Sequence, residues 1–236
     1  MTRPKKGAAP SARRRIRFGL YAILCLGLIF ALVLVVGGWL ALQLSAPQKV
    51  QSYADIRAVE DSSYIEVVDR QGLVLDRIRQ DFTKRQGEWL PLSEVSPSFI
   101  EAILASEDKR FYEHHGVDWL ALLNATRSHL IYKVKAVVSA PSANGVGRGG
   151  ASGISMQLVG LLEPELQAKG TRSYQQKWYQ IAAALALEDS WTKEEILEAY
   201  INLLPFRGEI VGVSAAAEAF YGKYAFALNP RESALL

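Results

Sequence analysis

The chain has 236 residues, with 27 Lys and Arg against 24 Asp and Glu, a net charge of +3. At 22% charged and 50% hydrophobic residues, it is neither a disordered nor a collagen-like sequence, and it can build a hydrophobic core. One cysteine, Cys25, and three histidines, His114, His115 and His129, exclude a disulfide scaffold, a Cys-rich zinc site and a multi-histidine cage.

Charge is unevenly placed. Residues 1–17 hold seven cations and no acid, so the rest of the chain is net negative. A basic tail suits nucleic acid or a membrane surface, and the next segment decides between them. Phe18 to Leu42 is 25 residues without a charge. As a helix it spans roughly 30 Å of hydrocarbon with some tilt. A cleaved signal peptide would have an apolar run of about 7–15 residues, although Leu44-Ser45-Ala46 keeps that alternative in view. The reading is an uncleaved anchor over 18–42 behind a cytoplasmic tail, 1–17. Residues 43–236 then lie outside the cytoplasmic membrane, and no nucleic acid is expected.

Residues 43–62 read as a linker or a first helix. Tyr64 to Arg79 reads as a hairpin, with Ile65, Val67, Leu73 and Leu75 alternating and Asp69-Arg70-Gln71-Gly72 as its turn. Ser96-Pro97 opens a helix carrying Phe99, Ile100, Ile103 and Leu104. A second helix is expected over Trp119 to Val138, with Leu120, Leu123, Ala125 and Ile131 available for the core. Ser139 to Gly153 is glycine-rich. Composition favours a linker, while Arg148 and the backbone N–H groups would also suit an anion.

Ile154 to Leu162 and Thr171 to Asp189 read as helices. Thr192-Lys193-Glu194-Glu195 is a capping box, heading a helix with Ile196, Leu197, Tyr200 and Ile201 buried and Pro205 after it. Val211 to Tyr221 follows, with Gly222 as its C-terminal cap. Asn229-Pro230 starts a last helix that reaches only Leu236, and the expectation is that its continuation is missing.

The densest polar run is Ser106 to Asp118. Glu107, Phe111 and His114 at i, i+4 and i+7 would share one helical face. A carboxylate beside an aromatic wall suits general acid–base work; an exposed, charged helix end is the commoner source of such a pattern.

Glu107-Asp108-x-x-Phe111-x-x-His114-x-Gly116-x-Asp118 resembles the first motif of the glycosyltransferase family 51 peptidoglycan polymerases. Gly150 to Gln157 is similar to the second, Lys177 to Gln180 falls at the third, Ile196 to Asn202 at the fourth and Ala215 to Lys223 at the fifth. The likeness runs from about Ser62 to the end, giving a domain over 63–236. Met156-Gln157, Gln180 and Phe206-Arg207-Gly208-Glu209 are similar to the penicillin-binding protein 1C branch.

The resemblance implies a mainly α, lysozyme-like domain with a small membrane-embedded jaw, behind one transmembrane helix and a short β-hairpin. It implies lipid II and the growing glycan strand as substrates, the cytoplasmic membrane as a partner, and cell-wall synthesis proteins as candidate partners. The 4-hydroxyl of an incoming lipid II would attack the glycan donor, forming a β-1,4 bond with inversion and releasing the lipid pyrophosphate. Glu107 stands at the catalytic base. Asp108, His114, Arg148, Ser152, Gln157, Lys177 and Gln180 form the implied substrate-binding set, and the jaw would draw on the second motif and Tyr132 to Val138. Tyr200 and Asn202 read as fold-supporting.

Three positions depart from the family pattern. Ser152 is followed by Gly153 rather than threonine, Gln176 replaces an arginine, and Gln180 replaces a glutamate. An amide cannot carry the negative charge a divalent cation wants, so Mg²⁺ assistance is in doubt, no cofactor is required and no protein metal site is expected. The alternative to a polymerase is a truncated or degenerate relative that binds lipid II or a cell-wall partner without catalysis. A glycan hydrolase is the third option.

Overall fold

The computed structural model describes residues 12–45, 50–60, 62–124, 127, 152–163 and 174–236. The chain divides into two units, Met1–Ser45 and Ala46–Leu236. Helix α1, Ala12–Ser45, makes up the described part of the first. It contains, over Leu24–Ala41, a stretch long and apolar enough to cross a membrane, none of it buried in the protein. The helix starts ahead of the uncharged segment because Arg13, Arg14 and Arg15 are themselves good helix formers.

The second unit is mainly α, as the sequence predicts, with two small sheets. Within the span expected as a linker, Tyr53–Val59 forms helix α2, capped by the Ser52 hydroxyl, which accepts from Asp55 N–H. Tyr53 meets Trp191 and Trp89 edge-on, at 5.4 and 6.2 Å between centroids. Strands β1, Tyr64–Val68, and β2, Val74–Arg79, form the antiparallel hairpin, with Ile65 opposite Ile78. Asp69 Oδ1 accepts from the N–H groups of Gln71 and Leu73, both at 2.8 Å, and Gly72 supplies φ +82°. Leu73 therefore belongs to the turn rather than to the strand where alternation put it.

Strands β3, Arg85–Gln86, and β4, Ile210–Val211, pair in parallel across a long stretch of sequence. Helix α3, Pro97–Glu107, follows Ser96, whose hydroxyl donates to Leu228 O instead of capping. The core gathers around helix α4, Ile154–Leu162, where Ile154 and Leu158 are fully buried. Against it pack α5, Tyr174–Ser190, and α6, Lys193–Leu203. Small side chains at Ala182, Ala183 and Ala184 let neighbouring backbone come close. A Cβ at Gly116, φ +69°, would stand 2.9 Å from Ala184 O.

The capping box of α6 is complete, and Ile196, Leu197, Tyr200 and Ile201 are buried as its periodicity requires. Helix α7 is Val213–Tyr221, ending on the left-handed Gly222; Val211 sits in β4, not in the helix. Helix α8, Pro230–Leu235, has a second capping box, Asn229 with Glu232, and packs on α3.

Two sequence expectations fail here. Helix α3 ends at Glu107, and residues 108–117 turn instead of continuing it. Glu107, Phe111 and His114 therefore do not share a helical face; Phe111 is buried under the Lys193 ammonium, 4.3 Å from its ring centroid. Residues 119–124 are helical, but Leu120 and Leu123 are 58% and 64% exposed and form no core face. Ala125 and, apart from residue 127, the remainder of that expected helix, most of the glycine-rich segment and the jaw stretch from Tyr132 to Val138 lie outside the described residues.

Candidate active site

Three helices converge at Glu107, the last residue of α3. Its Oε1 accepts from the exposed Ser106 hydroxyl at 3.1 Å. Its Oε2 accepts from Gln157 Nε2 of α4 at 2.8 Å. The same amide nitrogen also donates to Ser152 O at 3.3 Å. On the far side, the buried Tyr200 of α6 donates its hydroxyl to Gln157 Oε1 at 3.0 Å. Burial, and then the neighbouring charge of Glu107, push the Tyr200 phenol well above its ordinary range, so it remains a donor across usable pH.

Glu107, Gln157 and Tyr200 form one wall of an open cleft of about 700 Å³. Phe206, Arg207 and Phe220 line it as well, and so does the end of α8 from Ser233 to Leu236. Lys177 of α5 donates its ammonium to the Ser152 hydroxyl at 2.5 Å. A chain of contacts thus runs from Lys177 through residue 152 and Gln157 to Glu107, joining four positions that the sequence singled out.

The other expected site residues are placed differently. Asp108 and His114 are buried against one another, with His114 Nε2 2.9 Å from Asp108 Oδ2. Asp108 Oδ2 also accepts from Ile154 N–H at 3.1 Å. The pair thereby braces the start of α4, and neither residue lines the cleft among the described residues. Burial explains the difference: an acid and an imidazole taken out of water need each other and a backbone donor. His114 Nδ1 has no described partner.

Gly153 fits under this pair because it lacks a side chain; a Cβ there would lie 2.3 Å from Asp108 Oδ2. Gln180 is buried in α5, its Nε2 3.5 Å from where a Cβ on Gly160 would sit. Arg148 lies outside the described residues. Nearby, the Arg110 guanidinium forks onto Asp118, with Nε 3.0 Å from Oδ2. Burial opposes charge on Asp118, yet the N–H of Ala121 and the Arg110 guanidinium hold its carboxyl below the usual range.

Sequence reasoning missed the reach of Tyr200. Its place in the buried stripe of α6 explained the ring and left the hydroxyl unassigned, and a buried phenol needs a partner.

Fold and cleft together define a mainly helical domain with an open cleft that one carboxylate, Glu107, helps to line. The chain belongs to the transglycosylase family: the family model described as Transglycosylase matches residues 71–236. A biosynthetic peptidoglycan transglycosylase of Rhodospirillum centenum (strain ATCC 51521 / SW) is 36% identical over 166 residues, 70% of this chain and 64% of that protein. Penicillin-binding protein 4 of Bacillus subtilis (strain 168) is 29% identical over 219 residues, 92% of this chain and 32% of that protein. Penicillin-binding protein 2D of the same strain is 32% identical over 148 residues, 63% and 19% respectively. The chain thus spans between 19% and 64% of the length of these curated relatives.

Proposed function

We propose that this chain is a membrane-anchored peptidoglycan glycosyltransferase that polymerises lipid II. The observation that carries the reading is the Glu107 carboxylate, fixed by Gln157 at the wall of an open cleft. Family membership and the names of the relatives support it.

In this mechanism the acceptor's 4-hydroxyl gives its proton to Glu107 as its oxygen bonds to C1 of the donor sugar. The C1–O bond to the lipid pyrophosphate breaks with inversion, and the electron pair leaves with the pyrophosphate. General base catalysis of this kind contributes about 10²–10⁴-fold. Lys177, beside Ser152, supplies positive charge for the leaving group, where charge develops in the transition state. Asp108 and His114 act indirectly, by holding the loop that carries Ser152.

A divalent cation requires oxygen ligands with negative charge, and Gln180 offers a neutral amide. The reading therefore routes no step through Mg²⁺. Helix α1 is the anchor, and the cations of residues 1–17 hold its N-terminal side in the cytoplasm, leaving the second unit on the outer face with its lipid-linked substrate.

The test is incubation of the full chain, in detergent, with fluorescent lipid II. The expected product is glycan cleaved by a muramidase, formed equally with a chelator present. Binding of lipid II without polymer would favour the non-catalytic alternative, and release of fragments from finished cell wall would favour a hydrolase.

A further inference from the structure

We propose that Tyr200 is a positioning residue for the base, locking the Gln157 amide so that its N–H group faces Glu107. The proposal rests on the reading of Glu107 as base and extends it to a residue that touches neither substrate nor proton.

The geometry is directional. An ionised carboxylate only accepts hydrogen bonds, and a side-chain amide presents an oxygen on one side and an NH₂ on the other. Gln157 Nε2 serves Glu107 Oε2 at 2.8 Å and Ser152 O at 3.3 Å, while its Oε1 takes the Tyr200 hydroxyl at 3.0 Å. Turning the amide over would set its oxygen against a carboxylate and a carbonyl, leaving NH₂ against the phenol. The Tyr200 hydroxyl has no other described acceptor, and its ring is held in the buried stripe of the capped helix α6.

One consequence follows for each oxygen of Glu107. Oε2 is tied down by the amide, and Oε1, bonded only to the exposed Ser106 hydroxyl among the described residues, is the oxygen presented to an incoming hydroxyl. Loss of the Tyr200 hydroxyl frees the amide to rotate. The Glu107 carboxylate then loses the steady donor that holds its Oε2 in place. Among the described residues, the other charged or titratable side chains near this region include Arg207 from the loop after α6, Tyr221 of α7 and Lys177 of α5 beside Ser152. All are unchanged by a substitution at 200.

The experiment compares the full chain with Tyr200→Phe, Gln157→Ala and the double variant. Tyr200→Phe should lower kcat roughly 3- to 10-fold, the worth of one hydrogen bond. KM for lipid II should stay put. In the Gln157→Ala background, Tyr200→Phe should add nothing, because it acts through that amide. A second readout needs no turnover. In ¹⁵N-labelled chain the Gln157 side-chain N–H signals should be shifted and protected from exchange, and Tyr200→Phe should return them to those of a solvated amide. Should Tyr200→Phe not fold, 3-fluorotyrosine at 200 keeps ring and hydroxyl, strengthens the donor, and should shift the same signals further.

Unchanged Gln157 signals, a change in KM with kcat unaltered, or additive losses in the double variant would each overturn the proposal. Failure of the base reading looks different. Glu107→Gln would then polymerise like the wild type, while the amide signals still report on Tyr200.

Discussion

Gly153 and Asp108 are so close that a single added carbon does not fit between them: a Cβ on Gly153 would stand 2.3 Å from Asp108 Oδ2. That oxygen already serves His114 and Ile154 N–H, so it cannot retreat without breaking a buried polar network. Gly153→Ala should destabilise the domain by about 1–3 kcal/mol through overpacking, lowering Tm by roughly 3–10 °C. Gly153→Thr, which restores the residue usual in the family, should be worse rather than better. Calorimetry of both variants checks this, and an unchanged Tm for either would contradict the close approach.

Removal of the proposed base should be the largest single loss of activity. Glu107→Gln keeps size and polarity but not charge, so polymerisation should fall about 10²–10⁴-fold with lipid II binding retained. Glu113 is exposed in the turn that follows α3, and Glu113→Gln should be nearly silent. Turnover and binding measured side by side decide the matter.

A different kinetic pattern is expected at Lys177. Its ammonium is hydrogen-bonded to the Ser152 hydroxyl, and Ser152 O shares the Gln157 amide nitrogen with Glu107. Lys177→Ala should weaken lipid II binding and slow turnover together, by roughly 10- to 100-fold, the range for a charge-assisted hydrogen bond. Binding and turnover both unchanged in Lys177→Ala would assign Lys177 to something other than the pyrophosphate.

Stability at high pH should be set partly by Tyr53. Burial first, and then its bond to the Glu198 carboxylate, push its phenol from 10.0 up to about 12. Between those values the unfolded chain has lost the proton and the folded one has kept it. Stability is therefore fully present below pH 10 and falls as pH rises toward 12. Tyr53→Phe should start from a lower Tm, because Glu198 loses a donor, and should show a shallower alkaline decline. Parallel slopes in wild type and variant would refute this assignment.

Orientation is open to a direct check. With the cations of residues 1–17 retained inside, a reporter active only outside the cytoplasm should work when fused after Leu236. A reporter active only inside, giving signal at that position, would reverse the topology.

Local chemistry made much of this protein legible in its sequence. The capping box at Thr192, the stripe from Ile196 to Ile201, the left-handed cap at Gly222 and the hairpin turn at Asp69 all depend on residues within one or two turns of each other. Short-range hydrogen bonds and a period of about 3.6 residues specify such features. The resemblance to a known family likewise brought out Glu107, Ser152, Gln157 and Lys177, which the fold brings together. Tertiary structure decided what those rules cannot reach. Residues 108 onward looked like more helix, yet the chain turns there, because Asp108 finds His114 and the start of α4, and Phe111 finds a buried place beneath Lys193. Asp108 and His114 brace the start of α4 for the same reason. Tyr200 reached Glu107 through an amide 43 positions away in the chain, a contact between helices that no periodicity within one helix encodes.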